Sequence, residues 1–177
     1  MKSQRYNFCP QCGGELAYQP SGGRPRLVCG NCGETFYENP IVGVAGILID
    51  EQGQILLGRR ASGAYAGQWC IPCGYLEYDE ELRQGLLREF KEETGLEAEV
   101  RELFDAHSNF HDPLCHTVGI WFMVEQTGGL LKAGDDLDEV AFFDLERLPK
   151  LAFPTDRLVI EMLRGRIRGQ SRLTTTP

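Results

Sequence analysis

With 177 residues, 42% of them hydrophobic, the chain is long enough for one ordinary domain plus a small appendage. Its net charge of −8 argues against broad binding to nucleic acid or a membrane surface, since both need a basic face. No apolar run approaches the roughly 18 residues of a membrane span, and the opening MKSQRYNFCP does not read as a signal peptide, so the expectation is a soluble, cytoplasmic protein.

The first element in chain order is a cysteine framework. Cys9-x2-Cys12 and Cys29-x2-Cys32, with 16 residues between the pairs, have the spacing of a four-thiolate zinc site. Each pair makes a tight knuckle, and Gly13, Gly14, Gly30 and Gly33 let the backbone turn around the ion. About 35 residues with few large apolar groups fold poorly without such a staple. Four protein sulfurs fill a tetrahedral zinc, so this ribbon, placed at residues 1–38, is expected to be structural. Cys70 and Cys73 form another x2 pair without a second pair nearby, and with Cys115 they read as buried or half-buried thiols.

Asn39-Pro40 marks a boundary, and a second domain is expected over residues 39–168. Ile41–Asp50 is a nearly continuous β-branched run, as a strand buried on both faces should be. Glu51-Gln52-Gly53 reads as a turn and Gln54–Arg60 as the returning strand of a hairpin. Arg59 and Arg60 end that strand, where they can hold substrate phosphates by bidentate contacts or pair with surface acids. The glycine-rich stretch 61–67 is a loop.

The most informative segment follows, GYLEYDEELRQGLLREFKEETGL from Gly74 to Leu96. Asp79 suits an N-cap, Glu80 and Glu81 suit a first turn, and Gly95 supplies the stop. At 100° per residue Glu89, Glu92 and Glu93 share one face within about 100°, beside a stripe of Leu82, Leu86 and Phe90. Three acids at the border of the core-facing side repel one another and resist desolvation. A hard divalent cation such as Mg²⁺ or Mn²⁺ relieves both penalties, because oxygen ligands are what it prefers. The plainer alternative is a solvated acidic helix with pairs such as Arg88 and Glu92.

Those positions match the pattern G-x5-E-x7-R-E-U-x-E-E-x-G-U, with U apolar, at Gly74, Glu80, Arg88, Glu89, Phe90, Glu92, Glu93, Gly95 and Leu96. In this the chain resembles the Nudix hydrolases over roughly residues 40–165. The resemblance implies an α/β fold, an α/β/α sandwich on a mixed sheet. It implies Glu89, Glu92 and Glu93 as ligands of the catalytic Mg²⁺ or Mn²⁺, Glu80 as an outer or additional ligand, and Arg88 as the residue that orients the cluster. Gly74 would let the loop come close. The usual pattern has Pro-Gly-Gly before the box, and Cys73 departs from it.

Further strand patterns lie near 98–106, 116–125 and 139–144. His107, His111 and His116 bracket the segment SNFHDPLCH, where a substrate loop is expected. Asn109, Phe110 and His111 are its substrate-binding candidates, while Phe110, Trp121 and Phe122 are either a base-stacking platform or core. Asp136 and Glu139 are candidates for a late carboxylate, or members of a solvated acidic loop. A last helix is expected from about Thr155 to Arg168, then a flexible tail at 169–177.

A zinc ribbon ahead of a Nudix domain is similar to NADH pyrophosphatases and related flavin and ADP-ribose pyrophosphatases. The SQPWPFPxS-type segment of the NADH enzymes is replaced here by LFDAHSNFHDPLCH, and Pro113 lies 17 residues after Leu96, near the proline that ADP-ribose enzymes carry. The expectation is therefore hydrolysis of a nucleoside diphosphate linked to another moiety, ADP-ribose first and NADH or FAD behind it. Competing readings are a house-cleaning nucleoside triphosphate pyrophosphohydrolase and a nucleotide- or RNA-binding module. The expected partner is a small nucleotide, and the sequence leaves oligomeric state open, a homodimer included.

Overall fold

The strand Ile41–Leu48 (β4) shows how the larger unit is built, because its alternate residues feed two different cores. Val44 and Leu48 pack with Leu86, Phe90, Phe122 and Val124, whereas Ala45 and Ile47 pack with Trp121, Val159, Ile160 and Leu163. The next strand, Gln54–Arg60 (β5), divides the same way, Leu56 into the first core and Ile55 and Leu57 into the second. A period of two with apolar residues on both sides means a helix must cover each face. Helix α1 (Leu82–Thr94) covers one and α2 (Pro154–Leu173) the other. Each fully buried aliphatic side chain contributes about 1.5–3 kcal/mol.

The computed structural model describes residues 5–173, with side chains described through residue 169. Before β4 come β1 (Leu16–Ser21), β2 (Arg24–Cys29) and β3 (Thr35–Phe36), an antiparallel sheet in the order β1-β2-β3. After β5 come β6 (Trp69–Cys70), β7 (Cys73–Tyr75), β8 (Leu96–Asn109), β9 (Thr117–Gly129) and β10 (Leu137–Asp144). They form one sheet in the order β10-β5-β6 and another in the order β7-β4-β9-β8. Strands β4 and β9 run parallel and their outer neighbours antiparallel, so the second sheet is mixed, and with α1 and α2 it gives the expected α/β/α sandwich. Strand β8 lies at the edge of that sheet, and its pairing with β9 slips register three times, at Glu97/Ala98, Val100/Glu102 and Leu103/Asp105. Among the described residues no helix is long and apolar enough to cross a membrane.

The structure corrects the hairpin expected of β4 and β5. The turn forms, with Asp50 Oδ1 accepting the Gln52 and Gln54 N–H groups at 3.0 and 2.7 Å, but only Ile49 and Ile55 then pair. The two strands separate because each is already flanked on both edges, β4 by β7 and β9, β5 by β6 and β10. Helix α2 also runs beyond the expected end near Arg168, to Leu173. Of the expected flexible tail, residues 174–177 lie outside the described residues.

By contacts the chain divides into two compact units, one reaching to Pro40 and taking in Asp112–Cys115, the other holding Ile41–His111 and His116 onward. In the first, Cys9, Leu16, Leu27 and Cys29 make a small core with Phe36 against it. The Sγ atoms of Cys9, Cys12, Cys29 and Cys32 all lie within 4.8 Å of one another, with Cys12 and Cys29 3.4 Å apart and Cys9 and Cys32 3.9 Å apart. A tetrahedron of sulfurs about 2.3 Å from a zinc ion has edges of about 3.8 Å, so this donor set fits zinc. The Asn31 and Cys32 N–H groups point at Cys29 Sγ, at 3.4 and 3.5 Å, and Asn31 Nδ2 donates to Cys12 Sγ. The Gly14 backbone, then Asn31 and the neighbouring thiols, pull the Cys12 thiol down to about 6, which favours the thiolate that metal binding requires. All seven cysteines are free of disulfides; Cys70 is buried and Cys73 and Cys115 half-buried.

Among the described residues of the larger unit two acids are buried, Glu93 on α1 and Asp156 at the start of α2. Asp156 is 2% exposed in the first turn of α2, where the positive helix end favours it, and its Oδ2 accepts the Ile71 N–H at 3.1 Å. That bond ties α2 to the short connection between β6 and β7. Burial pushes its pKa up from 3.8 to about 7.

Two outcomes are expected. Elemental analysis should find one zinc per chain, and Cys9→Ser or Cys29→Ser should lower it and open residues up to Pro40 to protease; an N-terminal unit that resists protease without zinc would contradict the ribbon. Because the folded state raises the Asp156 pKa, its contribution is fully present below about pH 4 and is lost as pH rises through about 7. Asp156→Asn keeps an acceptor for Ile71 and cannot ionise. Wild type should therefore lose stability relative to this variant between about pH 5 and 7, by up to about 1.4 kcal/mol per pH unit. Parallel unfolding temperatures across that range would contradict the buried acid's role.

Candidate active site on α1

Helix α1 begins two residues later than its acids suggest. The cap is Glu81, whose Oε2 accepts the Arg83 and Gln84 N–H groups at 2.9 and 3.1 Å, and not Asp79, which stays exposed in the preceding turn. The reason lies in Glu80. Its carboxylate reaches eight residues ahead to the Arg88 guanidinium, with Nε to Oε1 at 2.7 Å and Nη2 to Oε2 at 2.8 Å, which leaves Glu81 facing the free amides. The C-terminal end is as expected: Gly95 has φ +71°, and its N–H closes on the Lys91 carbonyl at 2.8 Å. The last carbonyls are met by the loop before β10, Lys132 N–H donating to Thr94 and Gly134 N–H to Glu93 at 2.8 and 3.0 Å. That capping draws residues 132–136 up to the acids.

Arg88 is the hub of the carboxylates. Besides Glu80 it reaches Glu89 Oε1 at 2.9 Å and Glu92 Oε2 at 3.0 Å, and its own pKa rises, with the Glu80 hydrogen bonds as the largest cause. Glu80 is held lower by the same bonds. Glu89, mostly buried, is pushed upward by desolvation in spite of Arg88. It lies so close over β7 that any Cβ at Gly74 would strike its carboxyl group. Glu93 is 1% exposed, its Oε2 accepting the Cys73 N–H at 2.7 Å. Burial, then the charges of Cys73 and Asp136, push its pKa well above the usual carboxylate range.

The structure separates the two late carboxylates. Asp136 comes to Glu93, pairs through Oδ2 with Arg60 Nη2 at 2.6 Å, and leaves Oδ1 buried with no partner. Glu139 turns away to Arg59 Nη1 at 2.6 Å, and Asp138 takes Arg59 Nε at 2.7 Å. Arg59 is thus occupied at the surface, while Arg60 belongs to the acid cluster. Glu89, Glu93 and Asp136, two raised by burial and one with an orphaned buried oxygen, offer the oxygen donors that a hard divalent cation prefers. Among the described residues only the four cysteines bring three or more ligating atoms within 4.8 Å of one another, so the acids stand wider apart than direct ligation of one ion requires.

The expected substrate loop is shorter than 107–116. Strand β8 continues through Asn109 because Thr117–Gly119 of β9 pair with it, and His107 lies inside the strand against Trp121. Asn109 Nδ2 is engaged with Thr117 Oγ1 at 2.9 Å, and the Phe110 ring meets His116 at 5.0 Å. Only His111 of this group faces the region of Arg60, through the rings of Tyr65 and Phe153. Trp121 and Phe122, 3% and 1% exposed, are core. Tyr65, Phe153 and Asp156 escape sequence reasoning: two stand in loops without periodicity, and the third looks like an ordinary acid at a helix start.

Comparison with known proteins gives the family of both units. The NUDIX domain family matches residues 39–163, and the Nudix N-terminal zinc-ribbon family matches residues 7–38. An ADP-ribose pyrophosphatase of Methanocaldococcus jannaschii is 40% identical over 129 residues, covering 72% of this chain and 76% of that protein. An NAD-capped RNA hydrolase NudC of Vibrio atlanticus is 29% identical over 153 residues, which span 85% of this chain but 54% of the relative. Among solved structures, a NUDIX hydrolase from Nitrosomonas europaea superposes with a TM-score of 0.77 at 33% identity, covering 88% of each chain. The matched region contains all of α1, its acids and the loops that meet them, and the chain belongs to the Nudix hydrolase family.

Proposed function

We propose that this hydrolase cleaves the diphosphate bond of a nucleoside diphosphate linked to another moiety, with ADP-ribose as preferred substrate and AMP and ribose 5-phosphate as products. The observation that carries the reading is the acid cluster of α1 in a chain 40% identical to a protein named ADP-ribose pyrophosphatase. Glu89, Glu92 and Glu93 are assigned to Mg²⁺ or Mn²⁺, with Glu80 and Asp136 as outer or additional ligands. When bound, such an ion neutralises diphosphate oxygens and acidifies an attacking water. Arg88 orients Glu80, Glu89 and Glu92 through short bonds, and the Cys73 N–H fixes Glu93. Arg60, already among the acids, is placed to meet a substrate phosphate. Residues 39–168 are assigned to the catalytic domain and 1–38 to a structural ribbon, in a cytoplasmic protein with reduced cysteines. A second reading, an NADH or other dinucleotide substrate, is favoured by the likeness to NudC, at lower identity.

Glu93→Gln and Glu89→Gln should each lower kcat by at least about 10²-fold, roughly 3 kcal/mol of transition-state stabilisation, with the circular dichroism of the fold unchanged. Near-wild-type turnover of both variants at saturating metal would rule out the assignment. In a nucleotide panel with Mg²⁺ and Mn²⁺, kcat/KM should be higher for ADP-ribose than for NADH. Efficient NADH cleavage with negligible ADP-ribose turnover would give the second reading preference, and pyrophosphate release from triphosphates would replace both.

A further inference from the structure

Three aromatic rings outside the acid cluster converge from separate segments. Tyr65 belongs to the 3-10 turn Gly63–Tyr65 between β5 and β6, His111 follows the end of β8, and Phe153 immediately precedes α2. The ring centroids of Tyr65 and Phe153 are 5.3 Å apart, those of His111 and Phe153 5.6 Å, and those of Tyr65 and His111 6.0 Å. Unlike Phe90, Trp121 and Phe122, these rings are not sealed in the interior; Tyr65 and Phe153 are half-buried and His111 is exposed. Cys70, Leu137 and Ala152 form a buried floor behind Tyr65 and Phe153.

The Arg60 guanidinium lies 5.6 Å from the Phe153 ring centre and pairs with Asp136, which adjoins Glu93. Rings, cation and acids thus follow one another from the loop cluster to α1. A nucleoside diphosphate presents the same order, a planar base, then anionic phosphates that reach a metal. Aromatic faces with an arginine beside them are the usual composition of a base-stacking site, because every base has a π-face and the cation serves both ring and phosphate.

We propose that Tyr65, His111 and Phe153 form the nucleobase subsite, with Arg60 joining it to the diphosphate, and that it takes a purine in preference to a pyrimidine for the larger stacking face. The proposal rests on the nucleotide reading above and adds the part of the substrate that is recognised. Phe110, whose ring meets His116, lies outside the subsite.

Titration calorimetry of the full chain with Mg²⁺, using ADP and the base-free analogue imidodiphosphate, tests this without turnover. Phe153→Leu and Tyr65→Leu should each weaken ADP binding by about 5-fold or more, as loss of one stacking contact does, and leave imidodiphosphate within about 2-fold. Phe110→Leu should leave ADP affinity as in wild type. No ADP binding by wild type, wild-type ADP affinity in both ring variants, or an equal loss for both ligands would overturn the subsite. ADP binding that depends on these rings in a protein that does not cleave ADP-ribose would uphold the subsite and overturn the substrate reading.

Discussion

The desolvation of Glu93 is the constraint around which the site is organised. Removing a carboxylate from water costs several kcal/mol, and one charge-assisted hydrogen bond returns about 1.5–3. The Cys73 N–H therefore cannot offset the burial of Glu93 by itself, and Asp136 makes the balance worse. A buried acid that keeps such company needs positive charge close by. The nearest guanidiniums are already divided, Arg88 among Glu80, Glu89 and Glu92, and Arg60 with Asp136. The electrostatic deficit that remains raises the Glu93 pKa, and under the function proposed above a divalent ion would relieve it.

The backbone that surrounds Glu93 comes from three places, and each has its own reason to be there. Strand β7 is held against β4 and its lack of a side chain at Gly74 admits Glu89. The loop before β10 is captured by the unpaired carbonyls at the C-terminal end of α1. The connection from β6 to β7 is fixed from below by Asp156 on α2. Glu93 is thus positioned by a main-chain N–H of a distant segment, whereas Glu80, Glu89 and Glu92 are held by the side chain of Arg88.

How far the chain could be read in advance follows from where the information lies. The acid face of α1, its apolar stripe and its glycine stop are local and periodic, and they are legible. So are the four cysteines, whose spacing mirrors the geometry of one ion. The cap was not, because the choice between Asp79 and Glu81 is made by Glu80 reaching Arg88. The hairpin failed because pairing partners are set by which edges are free, a property of whole sheets. The convergence of Tyr65, His111 and Phe153 depends on three loops brought together by strands and a helix, and no single window of sequence contains it.

Strand β8 bears on the behaviour of the protein in concentrated solution. An uninterrupted outer strand offers main-chain donors and acceptors at regular intervals, a template for intermolecular sheet growth. Three register slips in 14 residues break that rhythm, and each adds local twist that turns the free edge away from a straight partner. Charged Glu97, Glu99, Arg101 and Glu102 stand exposed along the same stretch. The irregularity thus acts as a guard against aggregation, letting a 14-residue edge strand stand beside β9 without inviting a second molecule to complete the sheet.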